Sequence, residues 1–167
     1  VKFLPGRKSD VADCQWLQQL HSFGLLRPCF VPDQVTRTLR IYTRLRSDHL
    51  QMASTHVQHM HKALTLMNVK IQNVISDLKG PSGRKVLEAI VAGERDPHAL
   101  AALCDTRILK TKHAEVIASL HGTFTTEHLF ALKQALAGYD FYQEQIYQCD
   151  KQIEALLQEH TDSLPPP

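Results

Sequence analysis

The sequence has no apolar run approaching the roughly 20 residues that a membrane span requires, and its start lacks the residue order of a secretory signal. Cys14, Cys29, Cys104 and Cys149 are widely spaced, with no Cys-x-x-Cys pair, so neither a zinc site nor a disulfide framework is suggested. Sparse cysteine suits a reducing compartment. A soluble, cytoplasmic protein with no membrane partner is therefore expected. Also missing is any sustained period-two alternation of apolar and polar residues, which argues against β-strands. With 167 residues the chain can form one ordinary domain, or an extended helical module with a fragment of a neighbour attached. It opens on Val1 rather than Met and closes on Pro165-Pro166-Pro167, and is read as an excerpt of a longer protein.

Net charge is only +2, but it is unevenly placed. Residues 1 to 62 carry nine Lys/Arg against four Asp/Glu, a balance of +5; residues 63 to 167 carry ten against thirteen, a balance of −3. A basic front is a modest pointer to a polyanionic partner.

A 3.6-residue period recurs almost throughout, which predicts an all-α fold. Ser9 suits the N-cap of a helix over Asp10–Ser22 with Val11, Cys14, Leu17 and Leu20 on one face, and Gly24 suits its left-handed end. After an extended connector interrupted by Pro28, Pro32 and Asp33 open a second helix running to about residue 67. Its apolar stripe is Val35, Leu39, Tyr42, Leu45, Met52, Met60, Ala63 and Met67, frayed by His49, His56 and His59. About 35 residues at 1.5 Å each give roughly 50 Å, the length of an arm rather than of a small core. A matching helix is expected from residue 125 or 126 to about 159. There Leu132, Leu136, Tyr139, Gln143, Ile146, Asp150, Ile153 and Leu157 follow the four-three steps of a coiled-coil seam that Gln143 and Asp150 interrupt. Two such arms fold back as an antiparallel coiled coil, and short helices over 71–78, 81–92, 96–104 and 110–120 cap its tip.

Three features carry candidate chemistry. Asp10 and Asp13, three apart on an opening helical turn, share a face and can hold one hard cation; the plainer alternative is that both only favour the positive end of the helix dipole. Arg7 and Lys8 precede them and can touch phosphate or merely line a solvated loop. Arg37, Arg40 and Arg44, with Arg46 nearby, make a basic strip that can track a nucleic-acid backbone or simply face water. His56, His59 and His61 do not form a zinc pattern, because His61 points away from the other two and no acidic or thiol ligand has matching spacing.

The order of short motifs is more specific than any one of them: Gly6-Arg7-Lys8-Ser9-Asp10-Val11-Ala12-Asp13, Trp16-Leu17, Gly24-Leu25-Leu26-Arg27, Asn68-Val69-Lys70-Ile71, Ser82-Gly83-Arg84, Ala92-Gly93-Glu94, Asp96-Pro97 and Asp140-Phe141. In this order the chain resembles the DEDD insertion-sequence transposases, recombinases guided by a bridge RNA, over nearly all of its length. The resemblance implies that residues 1–31 end a RuvC-like catalytic domain, that 32–160 form its helical coiled-coil domain, and that 161–167 lead toward a C-terminal transposase domain. It implies that Asp10 and Asp13 are the last two carboxylates of a Mg²⁺-binding tetrad. The first Asp and the Glu would lie before Val1, and the nucleophilic serine beyond Pro167. Implied partners are DNA, the guide RNA and further copies of the chain as a dimer or higher oligomer. The fragment alone should not catalyse and should bind metal weakly. The alternative is a non-catalytic helical module for oligomerisation or nucleic-acid binding.

Overall fold

The computed structural model describes residues 9–26, 30–75 and 77–162, and among them there is no β-strand. Six α-helices carry the fold: α1 (Asp10–Ser22), α2 (Gln34–Leu66), α3 (Pro81–Ala92), α4 (Pro97–Ala102), α5 (Thr106–Ser119) and α6 (Thr126–Asp162), with a 3₁₀ turn at Ile71–Asn73. None is long and apolar enough to cross a membrane.

Local chemistry sets the ends. The Ser9 hydroxyl accepts from the Ala12 N–H, the Asp33 carboxylate from the Thr36 N–H, and the Asp96 carboxylate from the N–H groups of His98 and Ala99, each satisfying donors that a helix start leaves open. Three helices end alike. After α1, α2 and α3 the chain turns through Gly24 (φ +66°), Asn68 (φ +58°) and Gly93 (φ +111°). The next N–H reaches back to the final turn, Leu25 to the Leu20 carbonyl, Val69 to Leu64 and Glu94 to Ala89, in a Schellman arrangement. Gly and Asn are the residues that tolerate this left-handed conformation.

The two long helices, about 50 and 55 Å at 1.5 Å per residue, lie antiparallel. As numbers rise along α2 they fall along α6: Asp33 feels the charge of His160, Arg46 pairs with Asp150, His56 packs on Gly138, and the Met67 carbonyl accepts from the Thr123 N–H. Burial on α2 follows Val35, Leu39, Tyr42, Arg46, His49, Ala53, His56, Met60, Ala63 and Met67, in unbroken steps of four and three. On α6 it follows Leu132, Ala135, Tyr139, Tyr142, Ile146, Cys149, Ile153 and Leu156.

This differs by one residue from the seam expected on α6. Leu132, Tyr139, Ile146 and Ile153 are common to both, but Tyr142, Cys149 and Leu156 replace Gln143, Asp150 and Leu157. Gln143 is exposed, and Leu157 is 45% exposed. On α2, Arg46 and Ala53 take the places expected of Leu45 and Met52, both of which face out. Small residues explain the part of the shift at Ala53 and Ala135. Ala53, Ala63 and Ala135 are each 3% exposed, and at Gly138 an added Cβ would stand 2.3 Å from the His56 ring, so the helices meet closely where side chains are smallest.

The apolar core is concentrated at one end of this pair. Leu64, Met67, Val69, Ile71, Val86, Leu87, Ile90, Leu100, Val116, Leu120 and Leu132 are fully buried where α3, α4 and α5 close over the ends of α2 and α6. The other end is thinly packed and partly polar. The helix expected over 110–120 corresponds to the later part of α5, which a kink at Lys112 (φ −132°) divides; the earlier part starts at Thr106, capped by Asp105, whose carboxylate accepts from the Arg107 N–H while its own N–H donates to the Ser82 hydroxyl. Among the described residues of 71–78 only the 3₁₀ turn Ile71–Asn73 is helical, where a longer helix was expected.

Arg84 fastens α3 to α6. Its guanidinium makes a two-pronged bond to the Asp140 carboxylate, with Nη2 to Oδ2 at 2.6 Å, and its Nε reaches Glu88 at 2.5 Å. These bonds hold Arg84 charged well above its usual range. Because Asp140 remains 45% exposed, water re-solvates it when the partner is lost. Arg84→Ala is therefore expected to cost about 1 kcal/mol, lowering the thermal midpoint by roughly 2–4 °C for a chain of this size; a thermal melt followed by circular dichroism measures it.

Candidate metal-contacting and nucleic-acid-contacting surfaces

Asp10 and Asp13 both lie on the exposed first turn of α1. Residues three apart on a helix have Cβ atoms about 5–6 Å apart, so one cation can take an oxygen from each. Hard cations such as Mg²⁺ prefer carboxylate oxygen and keep several waters when dedicated ligands are few. The donor set thus fits Mg²⁺ in chemistry and supplies part of a shell. Among the described residues no group of three or more His, Cys, Asp or Glu converges on a possible metal position.

The helix that carries them is unusual in its packing. None of its residues is buried: Val11 is 68% exposed, Leu17 54% and Trp16 39%, and Phe23 just beyond is 74% exposed. A 13-residue helix is marginal in water without a packed face. Trp16 is not among the residues of the apolar core or those packed against it.

The basic residues separate into two groups. Arg37, Arg40 and Arg44 all face outward on α2, away from α6. Arg46 does not join them. It turns into the seam, where its Nε meets Asp150 at 2.5 Å and Nη2 meets the second carboxylate oxygen at 3.3 Å, which raises the guanidinium pKa further. Arg7 and Lys8 lie outside the described residues.

Several motif residues turn out to hold the scaffold. Asn68 and Gly93 supply left-handed turns, and Gly83 lets α3 approach Leu78, where an added Cβ would sit 2.5 Å from backbone atoms. The Ser82 hydroxyl accepts from the start of α5, Arg84 and Asp140 bind each other, and the Glu94 carboxylate accepts from the N–H groups of Arg95 and Asp96. Arg95 then lies 4.7 Å over the Phe124 ring. Sequence reasoning missed the Arg46–Asp150 and Arg84–Asp140 pairs; the first needed the register of α2 against α6, and the second the path of α3. Of the described cysteines Cys104 and Cys149 are buried, and burial pushes the Cys104 thiol pKa up, away from reactivity.

Comparison with known proteins finds no matching protein-family model, no matching curated protein and no matching solved structure.

Proposed function

We propose that this chain is part of a DEDD insertion-sequence transposase: the last helix of a RuvC-like domain followed by its coiled-coil domain, acting in RNA-guided, Mg²⁺-dependent cleavage and rejoining of DNA. The observation that carries the proposal is α1. It presents two carboxylates on one face at its exposed opening turn, while none of its apolar residues is buried. That combination suits a helix belonging to a larger catalytic domain, with the ordered motifs naming the family it resembles. In this reading Asp10 and Asp13 would hold the ion, which when bound polarises a phosphoryl oxygen. Arg37, Arg40 and Arg44 would lie along a nucleic-acid backbone as point neutralisers of phosphate. The α2–α6 pair would be the coiled coil, a dimerisation arm holding two such sites in one assembly in the cytoplasm. Ser9 and Ser82 are structural in this reading, since one caps α1 and the other anchors α5.

A second reading keeps only the helical part: a non-catalytic module for oligomerisation or nucleic-acid binding. It is favoured by the packing itself, since α2 and α6 pair along their length while no residue of α1 is buried.

Asp10→Asn and Asp13→Asn, introduced into the longer polypeptide that the proposal assumes, are expected to reduce DNA strand cleavage by several orders of magnitude with helical content unchanged. Cleavage at the original rate rejects their role. On the present chain, terbium luminescence excited through Trp16, one turn from Asp13, gives a readout independent of activity. Binding on the order of millimolar is expected for so few ligands, and the signal should vanish in the doubly substituted chain.

A further inference from the structure

Near the thinly packed end of the α2–α6 pair, an open groove of about 390 Å³ runs between the helices. From α2, Tyr42 and His49 offer two half-buried rings and Leu45 an apolar wall. From α6 come Gln145, Gln148 and Gln152, at i, i+3 and i+7 along one face. Lys151 completes the rim, its ammonium 4.6 Å over the Tyr147 ring. Among the described residues no carboxylate lines the groove.

Resting on the reading of this arm as a nucleic-acid-binding element, we propose that the groove binds an unpaired base of a single-stranded RNA. The volume falls within the range of small-ligand sites, about 300–1,000 Å³, and the lining chemistry narrows the ligand. Flat rings on an apolar wall suit stacking of a π-face. Side-chain amides carry both a donor and an acceptor, which is what the edge of an exposed base requires. The Gln148 amide nitrogen spends one of its two N–H groups on Glu144 at 3.1 Å, which leaves one donor and the carbonyl acceptor for a ligand. The Lys151 ammonium on the rim can meet the phosphate that accompanies the base, while the Glu144 carboxylate is engaged by Gln148. Arg40 and Arg44 occupy the outer face of the same turns of α2, so a strand leaving the groove meets a basic path at once. A duplex, whose bases are stacked inside, can use that path but not the groove.

The test compares fluorescein-labelled octauridylate with a 16-base-pair RNA duplex, by anisotropy at fixed salt. Two groove variants are used: the triple change Gln145→Ala, Gln148→Ala and Gln152→Ala, which keeps good helix formers in place, and Tyr42→Leu with His49→Leu, which keeps the seam apolar while removing both rings. Melting curves confirm that each folds. Both are expected to weaken octauridylate by about tenfold while duplex binding stays within twofold. The triple change of Arg37, Arg40 and Arg44 to Ala should weaken both probes and reduce the salt dependence of binding. Equal losses for the two probes in the groove variants, or no loss for octauridylate, overturn the proposal while leaving the basic strip intact. Failure of the unaltered chain to bind either probe overturns the groove and the nucleic-acid reading together.

Discussion

Ala135→Asp is expected to destabilise the fold by roughly 3–5 kcal/mol, whereas Ala137→Asp, the same chemical change two residues along, is expected to cost less than about 1 kcal/mol. Ala135 is 3% exposed and lies in the seam between α6 and α2, while Ala137 faces water. Both changes remove the best helix former and add the same carboxylate, so helix propensity cancels in the comparison. What remains is the cost of placing a charge among Met60, Ala63, Leu64 and Leu132 with no cation to meet it. Burial should raise the pKa of the new carboxylate in the folded state. The ionisation part of its penalty is therefore absent below the unfolded value, near 3.9, grows as pH rises above that value, and levels off above the folded one. Denaturant melts of the two variants at neutral and mildly acidic pH measure both the size and the sign. Equal stability of the two would place the seam on another face of α6 and remove the antiparallel pairing with α2.

That register was only half legible in the sequence. The positions Leu132, Tyr139, Ile146 and Ile153 fall on the seam whichever order of three and four is taken, because they are the points where both orders coincide. Between them the choice was Gln143, Asp150 and Leu157 or Tyr142, Cys149 and Leu156. The same ambiguity set Leu45 and Met52 against Arg46 and Ala53 on α2. Size misled at one of these positions, where the long Met52 was expected inside in place of the small Ala53. Close approach of two backbones rewards the opposite choice, and Ala53, Ala63, Ala135 and Gly138 mark where it occurs. Helix starts and stops were easier, because Ser9, Asp33, Asp96, Gly24 and Gly93 act through their own neighbours and need no knowledge of what packs above them.

The candidate site was legible in a different sense. Spacing alone put Asp10 and Asp13 on one face and Arg37, Arg40 and Arg44 on another, and the helices keep both placements. Arg46 was not separable from that strip by spacing, because the decisive fact is Asp150, which is 104 residues away along the chain. Nor could spacing separate motif residues that hold the scaffold from residues that meet a ligand. Ser82, Gly83, Arg84, Glu94 and Asp140 each have a partner inside the tip, whereas Asp10 and Asp13 project from an uncovered helix. The functional reading therefore rests on the pair that the fold itself does not use.

Gly83→Ala isolates one of those scaffold roles. An ideal Cβ at Gly83 would lie 2.5 Å from both the Cα and the carbonyl oxygen of Leu78, and 2.7 Å from the carbonyl carbon, all backbone atoms that cannot rotate aside. Leu78 is itself 4% exposed, so moving it disturbs the core beneath α3. Overpacking of this kind costs typically 1–3 kcal/mol, occasionally more, and the upper part of that range is expected here because α3 must lift as a unit. Two other glycines supply the contrast. At Gly93 an added Cβ meets nothing within 4 Å, but φ is +111°, so Gly93→Ala loses about 1–2 kcal/mol to backbone strain alone. At Gly138 the obstacle is the end of the His56 side chain, 2.3 Å away, which can swing to another rotamer. Gly138→Ala should therefore be the mildest of the three, and it adds a better helix former to α6. Thermal melts should rank stability as Gly138→Ala above Gly93→Ala above Gly83→Ala. The last should also loosen Arg84 from Asp140, so that adding Asp140→Ala to Gly83→Ala costs less than Asp140→Ala does alone. Full additivity of those two changes would mean that α3 holds its place without the close contact at Gly83.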